Sequence, residues 1–86
     1  MKQTGEKSSY SDDDIIKLSR EHGIGRKAAE ALYFIKRFGP LRQYEVAEKV
    51  SLDASTVSHH LKILQEKGLI EKDIKNKRES YYKSKI

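Results

Sequence analysis

At 86 residues the chain has room for one hydrophobic core and little beyond it, so no second, ligand-binding domain is expected. A hydrophobic fraction of 36% and a charged fraction of 36% still describe a folded unit rather than a disordered one, because the apolar residues recur periodically. The net charge of +5 favours a polyanionic partner, since neutralising phosphates releases counterions, although solubility alone accounts for the same excess. The lack of cysteine excludes disulfides and thiolate metal sites, and the lack of a secretory signal or of an apolar run of membrane length points to the cytoplasm.

Residues 1–10 are polar and aperiodic and form an N-terminal arm; residues 11–86 form one domain. Ser11 caps a first helix whose opening turn carries Asp12, Asp13 and Asp14, where the macrodipole favours negative charge. Its apolar stripe begins with Ile15 and Leu18, and it ends near His22 with Gly23 at C′ and Ile24 placed for the hydrophobic contact of a Schellman cap. A second helix, about Arg26 to Phe38, aligns Ala28, Leu32, Ile35 and Phe38, with Ala31 and Phe34 widening the stripe. So broad a stripe suggests burial on more than one side, within the fold or at a dimer contact. Gly39 and Pro40 stop this helix, a short strand is possible at Pro40–Arg42, and a third helix, about Gln43 to Val50, buries Val46, Ala47 and Val50.

Asp53 then caps a fourth helix, Ala54 to Lys67, with Gly68 at C′. At 100° per residue, Val57, His60, Leu61 and Leu64 fall on a core side, and Ser55, His59, Lys62 and Glu66 on the opposite side. His60 is accordingly expected to be packed and hydrogen-bonded. After Gly68 the period changes to two: Leu69, Glu71 and Asp73 point one way, Ile70, Lys72 and Ile74 the other, and residues 81–85 alternate likewise. Between these strands Lys75, Asn76, Lys77 and Arg78 form a tight basic turn that no core could bury. The expected class is mainly α with a small β-wing: four helices, then a two- or three-stranded antiparallel wing.

The run from Phe38 to Lys83, and above all STVSHHLKILQEKGLIEK leading into a basic turn and Tyr81-Tyr82, resembles the winged helix-turn-helix of ArsR-type transcription regulators, with the MarR-like group as a neighbour. The resemblance covers roughly residues 26–84. It implies a helix-turn-helix over residues 43–67 whose second helix enters the major groove of double-stranded DNA, with the wing at 75–78 on the backbone or minor groove. Ser55, Thr56, Ser58, His59 and Lys62 are then the candidate readers, since short polar side chains in the first turns reach base edges or phosphates. Lys75, Lys77 and Arg78 are candidate phosphate contacts, and Arg42 a weaker one. A solvated face is the alternative reading for each.

ArsR-type metal sensors use a cysteine pair in the third helix or ligands on a C-terminal helix. Here Glu45, Val46 and Ala47 occupy the first place and the chain ends at Ile86, so no metal and no cofactor is expected. His59 and His60 are adjacent and diverge on a helix, so they cannot chelate one ion together. Without the final helix, a homodimer would rest on the Ile15–Leu18 and Ala28–Phe38 helices. Gly23-Ile24-Gly25 imitates a dinucleotide fingerprint but follows no strand. It also resembles a helix-hairpin-helix turn facing a phosphate, with plain helix capping as the simpler account. Tyr81 and Tyr82 could stack on bases, or pack on the recognition helix with wet hydroxyls. No nucleophile elbow or paired carboxylate supports an enzyme. The alternatives to a transcription regulator are a winged-helix protein-interaction module and a sequence-independent DNA-binding protein.

Overall fold

The computed structural model describes residues 12–74 and 80–86. Six elements follow one another: α1 (Asp12–His22), α2 (Arg26–Phe38), α3 (Gln43–Val50), α4 (Ala54–Glu66), β1 (Ile70–Ile74) and β2 (Ser80–Ser84). The strands pair antiparallel, with Ile70 opposite Ser84, Lys72 opposite Tyr82 and Ile74 opposite Ser80. This is the expected architecture of four helices and a wing. The possible strand at Pro40–Arg42 is a single bridge, in which Leu41 and Tyr82 exchange both backbone hydrogen bonds (3.0 and 2.8 Å).

The helix ends lie where local chemistry stops the chain. Three of them close with a hydrogen bond from the second residue past the cap to the carbonyl three residues before it: Ile24 N–H to Ser19 O, Leu52 N–H to Ala47 O, and Leu69 N–H to Leu64 O. Gly23 and Gly68 occupy the left-handed position in two of these caps, with φ of 63° and 75°, but in the third, between α3 and α4, the residue is Ser51 at φ 59°. The α4 helix ends at Glu66, with Lys67 as its cap rather than its last residue.

α2 is the hub. It packs against α1, α3, α4 and β2, while β1 rests on α4. Its Ala28, Ala29, Ala31, Leu32, Phe34 and Ile35 join Ile15, Val46, Val50, Val57, Leu61, Leu64, Ile70 and Tyr82 in one core. The breadth of its stripe is therefore used inside the chain. Phe38, expected on that stripe, is 48% exposed. It stacks on Phe34 at 6.0 Å, and Lys49 Nζ sits 4.3 Å from its ring centre, so one face is covered by a cation rather than by core. Glu30 on the same helix is buried at 5% exposure and is held by Arg26 and Lys27, each 3.5 Å away. In the wing, the alternation expected from residue 69 onward is broken at its start: Leu69 and Ile70 are both buried, because Leu69 belongs to the α4 cap, and Ile74 is 62% exposed.

Candidate nucleic-acid interface

The α4 helix is capped by Asp53, whose carboxylate accepts the Thr56 N–H at 2.9 Å. Hydrogen bonds from the Thr56 side chain, the Thr56 amide and Ser55 hold that carboxyl below its usual 3.8. The cap sets the rotation of the helix. Val57, Leu61 and Leu64 enter the core, and Ser55, Thr56, Ser58, His59 and Lys62 are all exposed, so the five candidate readers share the outward side. Gln43 Nε2 donates to Ala54 O at 2.9 Å, tying the first residue of α3 to the first of α4 and so fixing the angle of the helix-turn-helix.

Toward the wing the outward side continues into two adjoining hollows. One is lined by Ser58, Lys62, Gln65, Glu66, Lys72 and Tyr82. The other is lined by Arg42, Gln43, Tyr44, Ala54, Lys72, Ser80 and Tyr82. Lys72 and Tyr82 belong to both, with Lys72 Nζ 6.0 Å from the Tyr82 ring centre. Ser58 and Lys62 are thus brought together with a strand lysine. Residues 75–79, with Lys75, Lys77 and Arg78, lie outside the described residues.

Gln43, Tyr44, Gln65 and Lys72 were not anticipated from the sequence. The clue for Tyr44 was an aromatic at the start of a helix, two positions after Arg42; it is 55% exposed. Lys72 carried no clue beyond its place in a strand, because pairing with Tyr82 is what turns it toward α4.

Arg42, a candidate phosphate contact, is engaged within the chain. Its Nη2 donates to the Tyr81 hydroxyl at 2.9 Å and its Nη1 to the Tyr44 hydroxyl at 3.4 Å, and its guanidinium carbon lies 5.2 and 5.9 Å from the two ring centres. The two tyrosines part ways, Tyr82 packing as expected and Tyr81 not. Tyr82 is buried, and the Tyr81 hydroxyl is engaged by Arg42 instead of packing on α4. His60 is only half-buried, and the hydrogen bond expected of it is missing: its Nδ1 is buried with no partner among the described residues. Burial first, then the neighbouring His59 and Lys27 charges, lower its pKa from 6.5 and favour the neutral ring. The described residues hold no cluster of three or more groups able to bind a metal ion. Gly23-Ile24-Gly25 forms the capping turn between α1 and α2, with Ile24 buried.

A helix-turn-helix made of α3 and α4, braced by a two-stranded wing and buttressed by α2, defines a winged-helix domain. The comparisons then specify the family. The profile of the MarR family matches residues 22–79, and the chain belongs to that family. The sequence pattern had suggested this group as the neighbour of the ArsR type; the ArsR label itself is not confirmed. No curated protein matches the chain. Among solved structures, the chain is similar to a MarR-family transcriptional regulator from Silicibacter pomeroyi, with a TM-score of 0.69, 20% identity, and coverage of 85% of this chain and 50% of that one. It is equally similar in fold to a protein of unknown function from Listeria innocua Clip11262, with a TM-score of 0.69, 22% identity, and coverage of 94% and 55%. The chain therefore spans about half the length of these two proteins.

Proposed function

We propose that this domain regulates transcription by docking α4 in the major groove of double-stranded DNA, with Ser55, Thr56, Ser58, His59 and Lys62 toward the bases and phosphates. Lys75, Lys77 and Arg78, between the two strands in sequence, contact the DNA backbone. The observation that carries this reading is the exposed polar side of α4 from Ser55 to Lys62, which runs without a break into Lys72 of the wing. No catalysis is part of the proposal. A cytoplasmic location goes with it, and among the described residues no helix is long and apolar enough to cross a membrane.

The regulator acts as a homodimer on a pseudo-palindromic site, with half-sites about 10–10.5 base pairs apart. Ile15, Leu18 and most of the Ala28–Phe38 stripe are already buried in the chain's own core, so within those two helices the contact to a second copy falls to Ile16 and Phe38, 38% and 48% exposed.

Fluorescence anisotropy on duplex DNA at several salt concentrations tests the reading. Lys62→Ala and Arg78→Ala should each weaken binding and lower the salt slope by about 1, as the loss of one phosphate contact requires. Unchanged affinity and slope in both variants would refute it.

A further inference from the structure

Three consecutive residues at the entry to α3 reach two different parts of the interface. Leu41 pairs through its backbone with Tyr82 of β2, Arg42 reaches Tyr81 of the same strand with its side chain, and Gln43 bonds to the first residue of α4. Arg42 stands at the centre of this tie. Its N–H donates to Glu45 Oε1 at 2.7 Å and its carbonyl accepts from Val46 at 3.1 Å, so its backbone is committed to the start of α3. Its guanidinium spans from Tyr44 on α3 to Tyr81 on β2.

We infer that Arg42 is a positioning residue that holds the wing at a set distance from α3 through Tyr81 and Tyr44, and so from the recognition helix to which Gln43 ties α3, and is not a phosphate ligand. This rests on the proposed docking of α4 and the wing on one duplex. Two contacts on one ligand reinforce each other only while their spacing matches the ligand, and a slack joint forfeits that gain. The chemistry suits arginine: a rigid planar fork offers diverging N–H donors to two hydroxyls while its flat face lies near both rings, which the point charge of lysine on a flexible stem cannot reproduce. The tie joins residues 39 apart in sequence, so it decides a tertiary spacing that no local signal sets.

Two measurements test the inference, one with DNA and one without. The chain has no cysteine, so Glu48→Cys on α3 and Ile74→Cys on β1, both exposed, accept spin labels cleanly. Pulsed dipolar spectroscopy should give a narrow α3-to-wing distance in this background and a broader one when Arg42→Gln or Tyr81→Phe is added. In anisotropy titrations of the unlabelled chain, Arg42→Gln and Tyr81→Phe should each lose affinity on the order of tenfold, the scale of one hydrogen bond to a charged group, with an unchanged salt slope. Arg42→Lys should not restore binding. Selection from random duplexes should show base preference kept at positions read by α4 and relaxed at the flanks touched by the wing, a split that general loss of folding would not produce. Tyr81→Phe keeps ring and charge and serves as the variant that folds.

An unchanged distance distribution in Arg42→Gln overturns the inference. So does a salt slope lowered by about 1 with binding restored by Arg42→Lys, which is the behaviour of a phosphate contact. Failure of the unmodified chain to bind any duplex overturns the proposed function instead, and the distance measurement then decides the role of Arg42 alone.

Discussion

The turn inside the helix-turn-helix contains a strained residue whose cost can be measured. Ser51 adopts φ 59° and ψ 45°, the only non-glycine residue with positive φ among the described residues. An L-residue in this conformation costs about 1–2 kcal/mol, because Cβ crowds the following carbonyl. Glycine avoids that penalty but gives up more backbone entropy on folding, roughly 0.5–1 kcal/mol. Ser51→Gly should therefore stabilise the domain by up to about 1 kcal/mol, raising the melting temperature by as much as ~4–8 °C for a domain of this size. The Leu52 N–H to Ala47 O bond at 3.1 Å remains in place. Ser51→Ala keeps Cβ and should change stability little. The reciprocal change, Gly68→Ala at the end of α4, should cost up to about 1 kcal/mol, the same strain less the entropy regained. An added Cβ there meets nothing within 4 Å, so no clash adds to it. Thermal and urea unfolding of the three variants provides the assay. If Ser51→Gly is neutral or destabilising, or Ser51→Ala stabilises as much, the strain assigned to this turn is wrong.

The other predictions concern buried polar groups. His60 has a folded pKa below its ordinary 6.5, so the unfolded chain binds the extra proton first; stability should be fully present above pH 6.5 and decline as the pH falls below it. Urea midpoints at pH 7.5 and 5.5 should differ for the parent chain and converge for His60→Gln, and equal midpoints in the parent chain would remove the assigned role of burial. Around Glu30, removing both cations (Arg26→Ala with Lys27→Ala) strands a carboxylate that is 5% exposed, at a cost of about 1–3 kcal/mol. Adding Glu30→Gln to that pair should recover part of the loss; a triple variant less stable than the double would show that the two cations do not compensate the carboxylate.

Much of the fold was legible from short-range chemistry. Asp53 caps α4 because its carboxylate reaches an amide three residues on, Gly23 and Gly68 end helices because they take the left-handed conformation, and the outward side of α4 follows from its apolar period. Each of these signals acts within one or two helical turns, so residue order suffices to read it. The same rules err where a residue's surroundings come from elsewhere. Phe38 has the right helical phase for the core, yet it lies at the last turn of α2, where Lys49 of α3 covers it. His60 is turned inward by phase, but phase does not supply a partner for Nδ1.

The candidate site divides along the same line. Ser55, His59 and Lys62 belong to one helix, and the sequence by itself determined that they share a side, because their relation is set by 3.6 residues per turn. Only the tertiary structure decided that Lys72 adjoins Lys62, that Tyr44 lines the hollow beside the wing, and that Arg42 is bound to Tyr81. Those neighbours come from separate elements whose approach is set by the packing of α2, α3 and the wing around one core, and a spacing across 39 residues leaves no periodic trace in the chain.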